Sequence, residues 1–237
     1  FINIRLTQGV MASVVASIRD QGDRYGAAPR TGVRVQVEFV SANPVGPMHV
    51  GHGRWAALGD SIARILEHAG DAVQREFYIN DAGVQMDIFA ASVSARYLEL
   101  TGREAAFPED GYRGAYITDI AREILDAEGE TWADAPAGKR EAHFKEQAYA
   151  AVLEHLKHVL HGMGVDFDVW FSERTLHAAG AIERGIERLR QAGYLFEHEG
   201  ALWFRSTDFG DDKDRVLKKA DGSYTYFAAD IAYHADK

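Results

Sequence analysis

Two histidines flank a glycine in "PMHVGHGRW", residues 47 to 55. The imidazoles of His49 and His52 can each donate a hydrogen bond to an anion. Gly51 carries no Cβ, so a flat ring could lie against its backbone. A helix starting at this point would add free N–H groups and a partial positive charge, which suits a phosphate. Pro44 and Pro47 stiffen the approach. The combination fits a nucleoside triphosphate, but not by way of a P-loop, because no G-x-x-x-x-G-K-[ST] string occurs. H-x-G-H by itself recurs by chance, so its value depends on its setting.

Two further clusters read as structure rather than chemistry. "FGDDKDRV", residues 209 to 216, mixes three aspartates with a lysine and an arginine. It lacks the spacing and the closing glutamate of an EF-hand, and reads as a solvated turn or a salt-bridged loop. His155, His158 and His161 lie three apart on a helical pattern. Only the first two share a face, and no carboxylate or cysteine cluster completes a metal site, so a solvated helix face is expected. Trp55 and Trp170 read as core or packing residues.

The elements that must position the histidines follow from periodicity. "VRVQVEFV", residues 33 to 40, alternates Val33, Val35, Val37 and Phe39 with polar partners, which predicts a strand. After the turn, Trp55, Leu58, Ile62, Ile65, Leu66 and Ala69 follow helical spacing, and Gly70 sits where a helix-ending glycine belongs. "AVQREFYIN", residues 72 to 80, predicts a second strand. Strand, helix and strand with short connections make a βαβ unit and a parallel sheet. Ligands bind beyond the carboxyl ends of such strands, where the histidine turn falls. From Gly83 to about Gly193 the pattern is helix after helix, with stripes headed by Met86, Ile117, Phe144 and Ile182. Residues 201 to 206 and 215 to 227 predict strands, the second a hairpin turned by Asp221 and Gly222, and a closing helix follows.

Composition narrows the class. The 237 residues are 46% hydrophobic, which is enough for one good core or somewhat more. No apolar run approaches a membrane span and no signal peptide is visible, so no membrane association and a cytoplasmic address are expected. Cysteine is absent, which rules out disulfides and thiolate metal sites. A net charge of −10 gives no global field for nucleic acid, so any such contact needs a local patch or another part of the protein. The first residue is Phe1 and the last, Lys237, falls inside a helical pattern, as expected of a piece of a longer protein.

With these residues in view, the sequence resembles a known family. "HVGH" looks like the HIGH signature of class I aminoacyl-tRNA synthetases. "VEFVSANPVGPMHVGHGR" with "FYINDAG", "FSE", "GALWFRSTDFGDDKDRVL" and "KKADGSYTYFAADIAYHADK" resemble the arginyl-tRNA synthetases specifically, in order, over residues 33 to 237. The resemblance implies an α/β fold: part of a Rossmann-like class I catalytic domain with a largely helical insertion. It implies the end of an N-terminal appendage and a linker over 1–32 and the first part of the catalytic domain over 33–83. A connective helical insertion follows over 84–200, with a truncated return to the catalytic domain over 201–237. It implies Mg-ATP over Gly51, with His49 and His52 near its phosphates and no protein metal ligands. It implies L-arginine with its guanidinium facing Asp230, Tyr226 and Glu173. Ser41, Asn43 and His52 would hold the amino-acid backbone end, with Glu38 a lesser contributor. Apart from the resemblance, Asp230 and Tyr226 read as a capping or surface pair and Glu38 as a solvated strand residue.

The implied activity is ATP-dependent ligation of L-arginine to its tRNA through arginyl-adenylate, by a monomer, with most tRNA contacts outside this chain. One motif departs from the family. The second class I signature, KMSKS, does not occur here, and Gly46 stands where some members lacking it carry a lysine. That motif is therefore expected beyond Lys237. Two other readings compete: another HIGH-type adenylating enzyme, and a non-catalytic paralogue that binds RNA or protein. A cysteinyl enzyme is disfavoured by the absent cysteines, and a decayed paralogue by the retained histidines and glycine.

Overall fold

The computed structural model describes residues 2–237. They divide into two compact units, the first made of residues 2–41, 48–77 and 157–170 and the second of 42–47, 78–156 and 171–237.

The first unit opens with α1 (Gln8–Gln21), whose first turn is capped by the Thr7 hydroxyl accepting from the Val10 N–H. None of its residues is buried. The βαβ unit then forms as its periodicity requires: β1 (Arg34–Glu38), α2 (Val50–His68) and β2 (Ala72–Ile79). β1 and β2 run parallel, with Arg34 opposite Ala72 and Glu38 opposite Glu76. β3 (Val169–Ser172) extends the sheet in the order β1-β2-β3. It lies inside the stretch that sequence reads as continuous helix. Four residues are too few for a period to show beside long helices.

The packing of α2 runs through its small residues. Its large residues, Trp55, Leu58, Ile62 and Ile65, are exposed, and its buried positions are Ala56, Gly59, Asp60 and Ala63. The cause is close approach. A Cβ added to Gly59 would lie 2.1 Å from the Phe39 ring. The helix therefore rests on the sheet through its small side chains. Phe39 and Phe77 complete this layer, packing on Phe167 and Trp170 with ring centroids 4.5 Å apart for Phe39–Phe167 and for Phe77–Trp170. Buried Asp60 is satisfied by Arg64 at 2.5 Å and Arg75 at 3.2 Å, and Arg75 also holds Glu67 at 2.6 Å. A charge this deep is tolerated because it is paired.

The second unit contains α3 (Val84–Leu100), α4 (Ala115–Glu128) and the first part of α5 (Ala137–Gly162). Their stripes point inward as expected: Met86, Phe89, Val93, Tyr97, Ile117, Ile120, Phe144 and Leu156 are all buried. The Tyr97 ring meets Phe144 edge-on, and its hydroxyl donates to the Gly129 carbonyl at 2.6 Å, so burial leaves no polar group unpaired. Next come α6 (Arg174–Ala178), α7 (Ala181–Gln191) and an antiparallel sheet of β4 (Leu195–His198), β5 (Ala201–Phe204) and β6 (Arg215–Lys218). The chain turns at Asp221–Gly222, but the return limb is a single bridge from Tyr224 to Lys218, and α8 (Tyr226–Asp236) begins at once. Leu176, Ile182, Ile186, Leu202, Leu217, Ala228, Ala229, Ala232 and Tyr233 form the core of this part. In the aspartate-rich loop, Arg215 binds Asp211 at 2.6 Å and Asp212 at 2.9 Å, a salt-bridged arrangement. His155, His158 and His161 are exposed.

Candidate active site

The histidine turn is a helix start. His49 is the N-cap of α2, in extended backbone with φ −101° and ψ 173°. Its Nδ1 accepts from the Gly51 N–H at 3.0 Å, and the His49 N–H donates to Nδ1 of His52 at 3.2 Å. This is a capping box built from two imidazoles. The rings stack with centroids 3.8 Å apart and planes 19° from parallel. The ring that lies against Gly51 is thus His49's own imidazole, whose Cε1 would be 2.8 Å from an added Cβ.

The arrangement fixes the protonation chemistry. An Nδ1 that accepts from a backbone N–H cannot carry a proton, so each neutral ring holds its hydrogen on Nε2. Both histidines can then donate from Nε2 while their other nitrogens brace the helix start. Partial burial, and then the neighbouring His49, lower the pKa of His52 from its ordinary value of 6.5. Trp55 meets His52 edge-on at 5.4 Å. Half exposed, Trp55 is a packing neighbour of this turn, not a buried core residue.

Just upstream the backbone is strained. Val40 has φ 67° and Ser41 has φ 44°, both in the left-handed region, and Val40 is β-branched. The Ser41 N–H donates to the Phe39 carbonyl at 2.9 Å, closing a tight turn at the end of the first strand. Outliers of this kind cost about 1–3 kcal/mol and gather at functional sites. The Ser41 hydroxyl donates to Glu38 at 2.8 Å.

In the second unit Asn43 donates to Gln85 of α3 at 2.8 Å. The same segment is gripped by α4, where Tyr116 donates to the Val45 carbonyl at 2.8 Å. A Cβ at Gly46 would fall 2.8 Å from the Tyr116 oxygen, so glycine is what this packing admits.

The other predicted residues lie in the second unit. Glu173 is buried, accepts from the Tyr78 hydroxyl at 2.9 Å and lies 3.4 Å from His177. The Tyr78 phenol is pushed well above its ordinary pKa, first by burial and then by Glu173, Asp230 and Asp81. Three carboxylates therefore act on one tyrosine. Tyr226 and Asp230, four apart on α8, are both exposed, while Ala228, Ala229, Ala232 and Tyr233 on its other face enter the core. Such a concentration of negative charge suits a planar cation that donates several hydrogen bonds.

Comparison with known proteins settles the family. The family model for the catalytic domain of class I (R) tRNA synthetases matches residues 14–237. The chain belongs to this family. It is 48% identical to the arginine–tRNA ligase of Thioalkalivibrio sulfidiphilus, covering all of this chain and 46% of that protein. Against the arginine–tRNA ligase of Bacillus subtilis it is 47% identical, covering all of this chain and 43% of the relative. The chain thus spans less than half the length of these relatives. Among solved structures, one from Campylobacter jejuni described as an arginyl-tRNA synthetase superposes with a TM-score of 0.88 at 30% identity, covering 98% of this chain and 51% of that one. The Thermus thermophilus arginyl-tRNA synthetase gives 0.63 at 28% identity, covering 93% and 38%. The class I synthetase α/β fold expected from the sequence is the fold found.

Sequence reasoning about this synthetase domain left Tyr78, Asp81 and Tyr116 without roles. The first two stand in "FYINDAG", a motif that marked the family without naming a job for each residue. Tyr116 stands next to Ile117 of a helical stripe and carries no motif. Its contact with Val45 spans 71 positions of sequence, which no local pattern reports.

Proposed function

We propose that the complete protein containing this chain ligates L-arginine to its cognate tRNA through arginyl-adenylate. The arginine carboxylate attacks the α-phosphorus of Mg-ATP, the bond to the β-phosphate oxygen breaks, and pyrophosphate leaves. A ribose hydroxyl of the tRNA's terminal adenosine then attacks the acyl carbon and releases AMP. His49 and His52 donate from Nε2 to the phosphate oxygens as charge builds there, an electrostatic role that needs no proton transfer. The attacking carboxylate is already ionised, so neither ring serves as a base. Glu173, Asp230 and Tyr226 receive the guanidinium, and Ser41, Asn43, His52 and Glu38 serve the amino-acid end. The buried Glu173 carboxylate, held by the Tyr78 hydroxyl at 2.9 Å, is the observation that carries this reading, because a fixed anion suits a guanidinium.

Polar pairing of this kind discriminates by about 10⁴ to 10⁵ without editing, since a poorer ligand leaves buried charge unmatched. The helices of residues 84–200 are therefore assigned to connection and tRNA approach rather than to proofreading. The whole protein works as a cytoplasmic monomer, with most tRNA contacts and the KMSKS lysines outside this chain, and this chain alone is inactive. The test is charging of a bulk tRNA preparation by the complete protein with labelled arginine, lysine or cysteine. Arginine alone should enter the acid-precipitable fraction. Incorporation of cysteine or lysine, or of none, would remove the proposal.

A further inference from the structure

Asp81 is deeply buried, at 2% exposure, and the reaction as proposed gives it no part. Its carboxylate reaches the residues on both sides of Glu173. Oδ2 accepts from the Ser172 hydroxyl at 2.6 Å, and Oδ1 accepts from the Arg174 N–H at 3.2 Å. The Asp81 carbonyl accepts from Nε of Arg174 at 2.9 Å, and the Glu173 N–H donates to the Ile79 carbonyl at 3.0 Å. Tyr78 then holds the Glu173 carboxylate itself. Three residues at and just past the end of β2, Tyr78, Ile79 and Asp81, thus fasten three consecutive residues, Ser172 to Arg174.

The outer side of Arg174 is braced as well, by Glu146 at 2.7 Å and by the face of the Tyr149 ring at 4.7 Å. The Tyr149 hydroxyl bonds Asp81 in turn, and its pKa is pushed up to about 12 by burial first and by that carboxylate second. Asp81 is thus enclosed by protein donors. Both of its oxygens are spent on protein donors in a setting where an unmatched donor costs about 1–3 kcal/mol. A guanidinium fork demands that its carboxylate partner be fixed in plane and direction; Tyr78 and His177 hold the Glu173 carboxylate, and Asp81 fixes the backbone on both sides of it.

We infer that Asp81 is a positioning residue that sets the direction of the Glu173 carboxylate and so tunes affinity for the guanidinium of the amino-acid substrate. The inference rests on the reading of Glu173 as a guanidinium contact. The test is ATP–pyrophosphate exchange by the full-length protein with tRNA present, measuring the KM for arginine and for ATP separately. Asp81→Ala is expected to raise the arginine KM at least tenfold and leave the ATP KM within twofold. Asp81→Asn should recover most of the loss, because its amide can accept from Arg174 while Ser172 turns its hydroxyl to receive the NH₂ group. Ser172→Ala, which removes a single donor, should raise the arginine KM about threefold, and it decides the matter alone if Asp81→Ala does not fold. An arginine KM within twofold of wild type in Asp81→Ala or Ser172→Ala, beside a large rise in Glu173→Gln, overturns the inference and leaves the pocket standing. An equal rise in both KM values also overturns it. An unchanged arginine KM in Glu173→Gln removes the pocket reading and this inference with it.

Discussion

The imidazoles of His49 and His52 each do two things, bracing the start of α2 with Nδ1 and leaving Nε2–H free to donate. That division predicts a mixed phenotype. His52→Ala in the full-length protein should slow arginine-dependent pyrophosphate exchange more than tenfold. The same change removes a cap contact worth about 0.5–2 kcal/mol, so a melting curve should fall by only a few degrees. Wild-type exchange in that variant would remove the phosphate role. Asp230 is separable from this. Asp230→Asn keeps the shape and removes the charge, and should weaken arginine by about 1.5–3 kcal/mol, read as an arginine KM raised roughly 10- to 150-fold. An unchanged KM would take Asp230 out of the pocket. At this scale sequence spoke clearly only where several residues make a motif. The helix start that His49 and His52 cap was legible from a turn between strand and helix. The clasp of Asp81 on Ser172 was not, because 91 positions separate the partners and serine and aspartate are ordinary residues in either place.

At the scale of elements, α2 is the instructive case. Helical spacing identified the helix but not its packed face, since periodicity reports where large apolar residues recur, not which side a close-packed sheet can accept. Ala56, Gly59 and Ala63 form that side, and Leu58 and Ile65 are left exposed at 58% and 68%. Gly59→Ala gains up to about 1 kcal/mol of helix propensity. It also drives a methyl into the fixed end of Phe39, and overpacking of that kind costs about 1–3 kcal/mol. The second effect should win, lowering the melting temperature. Gly53→Ala, whose added Cβ would meet nothing nearer than Met163 at 3.7 Å, should raise it. Calorimetry of the two variants side by side checks the pair, and a gain in both would mean that α2 does not rest on Phe39. The cap also has a pH dependence of known sign. His52 binds its proton less readily folded than unfolded, so its contribution is complete above the ordinary value of 6.5 and is lost as pH falls below it. Thermal unfolding followed from pH 8 to about pH 5 should show wild type losing stability faster than His52→Gln. Parallel curves would mean that the ring is not held as an acceptor.

Across these 237 residues, a net charge of −10 leaves no general attraction for nucleic acid, so any such contact needs a local patch. The family was legible because its motifs run in order along nearly the entire chain. β3 was hidden by its brevity, and the return limb after Asp221–Gly222 by Tyr226 and Phe227, aromatic residues that read as strand but begin α8. The central claim is chemical: Glu173, held by Tyr78, and Asp230 form a seat for a guanidinium. Isothermal titration of the full-length protein with arginine and with lysine, each in the presence of a non-hydrolysable ATP analogue, tests it most directly. The account predicts that arginine binds at least a thousandfold more tightly than lysine and that Glu173→Gln erases most of that preference. Equal affinities in the wild-type protein, or a preference that survives in Glu173→Gln undiminished, would contradict it.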